Sequence, residues 1–158
     1  MYDPEAELNL HGKAWLALGI GPQREPSVLK RLSKPLSHVR LALVSTGGFV
    51  PPGEQPFNTG KRGDPSFREI RRDQDLGKLE IHHPHYDPAG VRRDLNILFP
   101  IPLCQQLVAE GVLGELADTH YSFMGYVPLT RRLEKEFAPQ VARRMKQEEV
   151  DAALFTPA

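Results

Sequence analysis

Three histidines, a tyrosine and an aspartate fall within the eight residues Glu80–Asp87, EIHHPHYD. Imidazoles titrate near neutral pH, so such a cluster can carry protons or ligate a metal. If the run is extended, His83 and His85 share a face and His82 points away until Pro84 bends the chain. The spacing is not the H-E-x-x-H pattern of zinc hydrolases. The readings that stand side by side are metal ligands, candidate acid–base groups at His83 and His85, or a hydrogen-bonded structural or substrate-contacting segment. A second cluster, Asp118–Tyr126 (DTHYSFMGY), mixes polar and aromatic residues before a glycine. Either it plugs the core with a satisfied histidine, or His120 and Ser122 reach a pocket, His120 as a third acid–base candidate. Asp94 and Asn96, in RRDLNILFP, can bind substrate or close helix ends by local hydrogen bonds.

A third grouping is built for substrate contact. Leu41–Val44 is a short apolar run that ends in Ser45-Thr46-Gly47-Gly48. A strand followed by glycines is a common ligand position in α/β proteins, because glycine allows close backbone approach. A long Pro- and Gly-rich stretch follows, Phe49–Phe67, of a kind that is functional or disordered when it lies inside a domain. At its end, Asp64, Ser66 and Arg68 share one face if extended. They are either an ion-paired turn or a ligand-facing set. Thr46, Gly47, Gly48, Asp64, Ser66, Arg68, Asp94, Asn96 and Ser122 form the substrate-binding candidates. The expectation is that the Thr46–Gly48 turn, Asp64–Arg68 and His120 converge on one pocket.

Other chemistries find little support. There is no G-x-S-x-G elbow for a serine hydrolase and no G-x-G-x-x-G fingerprint. Asn58-Thr59-Gly60-Lys61 lacks the first glycine and the Ser/Thr of a phosphate loop. One cysteine, Cys104, excludes an internal disulfide and a multi-cysteine zinc site. It lies in the apolar stripe IPLCQQLV and reads as a small buried hydrophobe. Twenty basic and twenty acidic side chains balance, which argues against a broad nucleic-acid surface. Arg71-Arg72, Arg92-Arg93 and Arg131-Arg132 read as solvated faces. No apolar run approaches the ~20 residues of a membrane span, and the acidic N-terminus lacks a signal pattern. The cytoplasm is the expected location.

These residues need elements to hold them. Asp3 and Pro4 suit the start of a helix over residues 3–18, and Gly19–Pro35 reads as a linker with a turn around Val28–Leu32. Residues 1–33 are thus an N-terminal helical or extended segment, and 34–158 the principal domain. Ser37–Val44 is the first strand and Leu79–His82 a short second one. Asp87-Pro88 caps a helix that runs to about Asn96, and Pro100-Ile101-Pro102 opens another that Gly111 stops. Val112–Leu116 reads as one more helical turn. Thr130–Lys146 is helical with an interruption at Pro139. Val150–Phe155 is a continuous apolar run, expected as a central or near-central strand, parallel to Leu41–Val44 and next to it. The alternation predicts a three-layer, Rossmann-like α/β fold with a small, mostly parallel sheet.

Taken in order, KPLSHVRLALVSTGGF, GDPSFREI, HHPHYD, RRDLNILFPIPLCQQLVAEGVLGELADTHYSFMGY and VDAALFTP resemble the selenoprotein B family of glycine, sarcosine, betaine and D-proline reductases. The likeness runs from Lys34 to Pro157. It implies reductive cleavage of a carbon–nitrogen bond by a selenol or thiol, on a substrate whose amine is held by a pyruvoyl group of a partner subunit. It also implies a cysteine or selenocysteine just after the strand that ends in Thr-Pro. This sequence has no cysteine at that place, so the resemblance implies a chain that lacks the redox motif and is inactive alone, either a truncation or a natural short relative. A homo-oligomer is compatible with it. Two other readings remain: a non-catalytic small-molecule-binding or scaffold subunit, and a metal-dependent hydrolase built on His82, His83, His85 and His120.

Overall fold

A computed structural model of the chain describes residues 30–158. The helix expected over residues 3–18 lies outside them, as does the start of the turn around Val28–Leu32. Along the described chain come β1 (Arg40–Ser45), β2 (Phe49–Val50), β3 (Phe67–Arg71), β4 (Glu80–Ile81), α1 (Ala89–Arg93), α2 (Ile101–Ala109), β5 (Glu115–Leu116), β6 (Thr119–Phe123), α3 (Ala138–Gln147) and β7 (Ala152–Thr156).

β1 is the hub of a five-stranded sheet. β7 takes one of its edges in parallel register, from Leu41 opposite Ala152 to Ser45 opposite Thr156. β5 and β6 share the other edge, also parallel. β3 then pairs antiparallel with β6. Between β5 and β6 the partner strand carries two residues more than β1 does, a bulge centred on Ala117-Asp118. The amides this bulge frees are met by side chains. Glu148 Oε2 accepts the amides of Asp118 and Thr119 at 3.0 and 3.1 Å. On the facing strand the Leu43 amide donates to His120 Nδ1 at 3.2 Å.

Helices cover both faces, which gives three layers. On one face Leu43, Phe49, Ile70 and Phe99 pack with Val91 of α1 and with Ile101 and Cys104 of α2. The β2–β4 antiparallel pair lies on this side, carrying Phe49 into the core. On the other face Val44 and Tyr121 pack against Val141 and Met145 of α3. Each large apolar side chain buried here contributes about 2 kcal/mol relative to exposure.

The structure bears out the mostly parallel three-layer sheet and the β1–β7 pairing, and corrects several details. The segment ahead of β1 is a 3-10 turn, Leu36–His38, and not strand. Val112–Leu116 does not form a helical turn: Gly111 takes φ 73° to end α2, and Glu115–Leu116 joins the sheet. The Asp118–Tyr126 cluster contains β6, a sheet-interior strand. Phe67–Arg71 is likewise a strand, β3. Pro139, which has no amide to donate, sits in the first turn of α3, preceded by a wide π-type turn over Leu133–Phe137. β7 is an edge strand: within the described residues β1 is the one strand it pairs with, and Phe155 is 70% exposed.

Candidate functional site

β1, β6 and β7 run parallel, so their carboxyl ends open on the same side of the sheet, the side on which open α/β sheets place ligands. The Thr46–Gly48 turn stands there. Thr46 donates its amide to the Thr156 carbonyl at 3.1 Å, and Gly48 donates to the Phe123 carbonyl at 2.9 Å. Gly47 donates to Ser45 Oγ at 3.1 Å, while Ser45 Oγ donates to the Leu98 carbonyl at 2.7 Å. All three amides of the turn are therefore spent inside the protein and none remains for a ligand anion. The glycines serve packing instead. A Cβ at Gly48, which has φ 71°, would meet the His82 carbonyl oxygen at 2.6 Å and His83 Cβ at 3.0 Å. A Cβ at Gly47 would strike the Phe49 ring at 2.6 Å.

What this close approach positions is the histidine segment. His82 donates its amide to the Gly48 carbonyl at 2.8 Å, and Tyr86 donates its hydroxyl to the Gly47 carbonyl at 2.9 Å. The His85 amide donates to His83 Nδ1 at 3.2 Å, which leaves Nε2 as the nitrogen of His83 able to carry or exchange a proton. That nitrogen lies near Gly125, whose φ is 86°: a Cβ there would come within 3.2 Å of His83 Nε2 and 3.0 Å of the Thr46 carbonyl oxygen. The His83 ring packs on Tyr86 and the His85 ring on Tyr126, each at 4.6 Å between centroids. Burial, with His85 adding to it, holds the His83 imidazole below its ordinary range, so it is neutral at pH 7. Burial also raises the Tyr86 phenol, which keeps it a donor. The chain leaving β7 reaches the same place, where the Ala158 amide donates to Thr46 Oγ1 at 2.8 Å.

Asp64, Ser66 and Arg68 form a second, separate group. Asp64 accepts the amides of Asn58 and Ser66 at 2.8 and 2.9 Å, and the Ser66 hydroxyl at 2.5 Å. Burial alone would raise its carboxyl, but these hydrogen bonds and the Arg68 charge outweigh it and hold the group below the usual carboxylate range. Arg68 donates to the Gln55 carbonyl at 2.7 Å and to Ser66 Oγ at 3.0 Å, and its guanidinium lies 4.3 Å over the Phe57 ring. The three side chains do share a face, and they line an open cleft of about 780 Å³ with Arg132 and Phe137. Tyr126 joins the two places: Gly63, at φ 63°, packs on its backbone carbonyl while its ring meets His85.

The remaining candidates do not reach either place. His120 is fully buried. Burial first, then the Arg72 charge, lowers its pKa to about 4. Its Nδ1 is occupied by Leu43 and its Nε2 has no partner, so the expected convergence of His120 with the turn and Asp64–Arg68 on one pocket is corrected. Ser122 is buried as well and accepts the Phe49 amide at 2.8 Å. Asp94 accepts the Asn96 amide and Asn96 Oδ1 the Leu103 amide, so both close helix ends. His82 pairs with Glu80 at 2.9 Å. Among the described residues no group of three or more His, Cys, Asp or Glu is placed to hold a metal ion, and the four histidines of the hydrolase reading do not converge. Tyr86 and Gly125 also stand at this place and were passed over by the spacing argument; they sit in the motifs HHPHYD and HYSFMGY, respectively.

A family model described as glycine/sarcosine/betaine reductase selenoprotein B matches residues 25–158. The chain belongs to this family. It is 34% identical over 135 residues to D-proline reductase subunit gamma of Acetoanaerobium sticklandii, covering 85% of this chain and 55% of that one. It is 30% identical over 126 residues to glycine reductase complex component B subunit gamma of Symbiobacterium thermophilum, covering 78% of this chain and 29% of the relative. Betaine reductase complex component B subunit beta of Peptoclostridium acidaminophilum is 27% identical over 127 residues. The chain thus spans about half the length of the first relative and under a third of the others. No solved structure matches it. Among the described residues no helix is long and apolar enough to cross a membrane.

Proposed function

We propose that this chain works as part of an amino-acid reductase complex, in the reductive cleavage of a carbon–nitrogen bond of a substrate such as glycine, sarcosine, betaine or D-proline. In that reaction the carbon–nitrogen bond breaks, the carbon gains hydrogen, the nitrogen departs as an amine or, from D-proline, stays on the opened chain, and a dithiol or selenol–thiol pair is oxidised. A pyruvoyl group on a partner subunit would hold the nitrogen of substrates that carry an N–H, such as glycine, sarcosine and D-proline, and would activate the neighbouring carbon. Cys104 does not fit the redox role: it is 4% exposed on α2, and burial pushes its thiol up, away from the reactive thiolate. No step is therefore routed through it.

The observation that carries this reading is the bond from the Ala158 amide to Thr46 Oγ1. It brings the end of β7 over the turn that closes β1, beside His83. A reacting group delivered to this face meets a neutral imidazole whose Nε2–H can donate a hydrogen bond to the departing nitrogen, with Tyr86 holding the turn in place. The competing reading, a non-catalytic binding or scaffold subunit, draws on the internal use of all three turn amides. Both readings place the chain in a complex. Isolation of the tagged chain from its own host, with mass spectrometry of what accompanies it, tests this. The expected result is a partner with a blocked, pyruvoyl amino terminus. Recovery of the chain without any such subunit contradicts the proposal.

A further inference from the structure

Of the three arginine pairs, two are at least partly neutralised: Arg71 by Asp73, Arg72 by Asp118 and Arg132 by Glu136. Arg92 and Arg93 are different. Both are exposed, and neither takes part in the ion pairs found among the described residues. They stand at the rim of a cavity of about 470 Å³ on the α1 side of the sheet, within the size range of small-molecule sites. Its floor is the buried pair Phe49 and Val91, and its walls are the half-buried Leu76, Leu79, Ile81 and Leu95. This is a pit with an apolar floor and walls, under two cations that pair with no carboxylate among the described residues. A neutral apolar ligand would leave both guanidiniums unused, and a cation would be repelled. An anion with an apolar body satisfies both parts, because a planar carboxylate matches the guanidinium fork.

We propose that this cavity binds a small monocarboxylate with an apolar tail, its head on Arg92 and Arg93 and its tail over Phe49 and Val91. The place is distinct from the histidine site but shares a wall with it. The Phe49 ring that floors the pit is the ring a side chain at Gly47 would strike, so an occupied pit braces the back of the Thr46–Gly48 turn.

The test is a titration of the full chain with sodium octanoate, followed by amide chemical shifts, with 1-octanol and octylammonium as controls. The expected result is saturable shifts confined to residues around Phe49, Leu79 and Val91. Octanol should bind at least tenfold more weakly, and octylammonium should not bind. The double variant R92Q/R93Q should lose octanoate affinity at least tenfold, and R92K/R93K should lose less. Both arginines are exposed, so an unchanged far-UV spectrum is expected for either variant. Absence of saturable shifts, equal binding of octanol, or undiminished affinity in R92Q/R93Q would each overturn the proposal. The octanol comparison decides the matter on the unaltered chain even where a variant fails to fold.

Discussion

The Leu43 amide donates to Nδ1 of His120 across the bulge between β5 and β6. An imidazole thus does what a carbonyl of the neighbouring strand does elsewhere in the ladder. The bond requires the neutral ring with its proton on Nε2. Protonation would put a second hydrogen against the Leu43 amide, inside a core that also faces Arg72.

This arrangement sets a pH dependence. The folded pKa of His120 is about 4 against 6.5 for the free side chain. Above pH 6.5 both folded and unfolded chains hold it neutral, and its contribution is fully present. As pH falls from 6.5 to 4 the unfolded chain takes up the proton first, so stability declines. The loss from this group approaches about 3 kcal/mol at pH 4. Urea unfolding at pH 8, 6, 5 and 4 should show the decline, and His120→Gln, which keeps an acceptor without titrating, should flatten it. His120→Leu should cost about 1–3 kcal/mol more at every pH, because it leaves the Leu43 amide unpaired.

Gly48→Ala places a Cβ at φ 71° and against the His82 carbonyl. Strain and clash together should cost about 2 kcal/mol or more. The displaced segment is His82–His85, so the imidazole NMR signals of His83 and His85 should move while that of His120 stays. Unmoved signals would show that the turn does not position the histidines.

Asp64 gathers three donors at the end of the long loop. Asp64→Ala should destabilise by about 2 kcal/mol and speed proteolysis within residues 54–62. Asp64→Asn keeps part of the acceptor set and should fall between. Because the folded pKa is lowered, the anchoring is present above the ordinary carboxylate range and is lost as pH falls through the folded value.

Cys104 should label slowly with a thiol reagent in the native chain and rapidly after unfolding, since its side chain is buried in the α2 face of the core. Rapid native labelling would restore it as a redox candidate.

Phe155→Lys should leave the melting temperature nearly unchanged, because the ring is 70% exposed, and should lower self-association in sedimentation, because β7 is an uncharged edge strand. A large loss of stability would show that the ring is covered.

The sequence made β1, α2 and the parallel β1–β7 pair legible, because continuous apolar runs and glycine or proline boundaries are local signals. β5 and β6 were not legible as strands. Thr119–Phe123 owes its place to pairing on both sides, and its polar members His120 and Ser122 are paid for by single backbone amides, Leu43 and Phe49. That same fact misplaced them as ligand-facing residues. The edge position of β7 was missed because its composition is that of an interior strand. His83 and His85 were singled out from type and spacing, but the positions of Tyr86 and Gly125 beside them rest on contacts with Gly47 and Thr46, far away in sequence.

The central claim is that the carboxyl face of β1 and β7, with His83 beside it, takes part in amino-acid reduction. The most direct measurement is release of the cleavage product by the complex isolated with this chain, supplied with a dithiol: ammonium from glycine, methylamine from sarcosine, trimethylamine from betaine and the ring-opened amino acid from D-proline. The account predicts release from at least one of the four, falling tenfold or more in His83→Gln without a change in melting temperature or subunit content. No release from any of them, or full activity in His83→Gln, would contradict it.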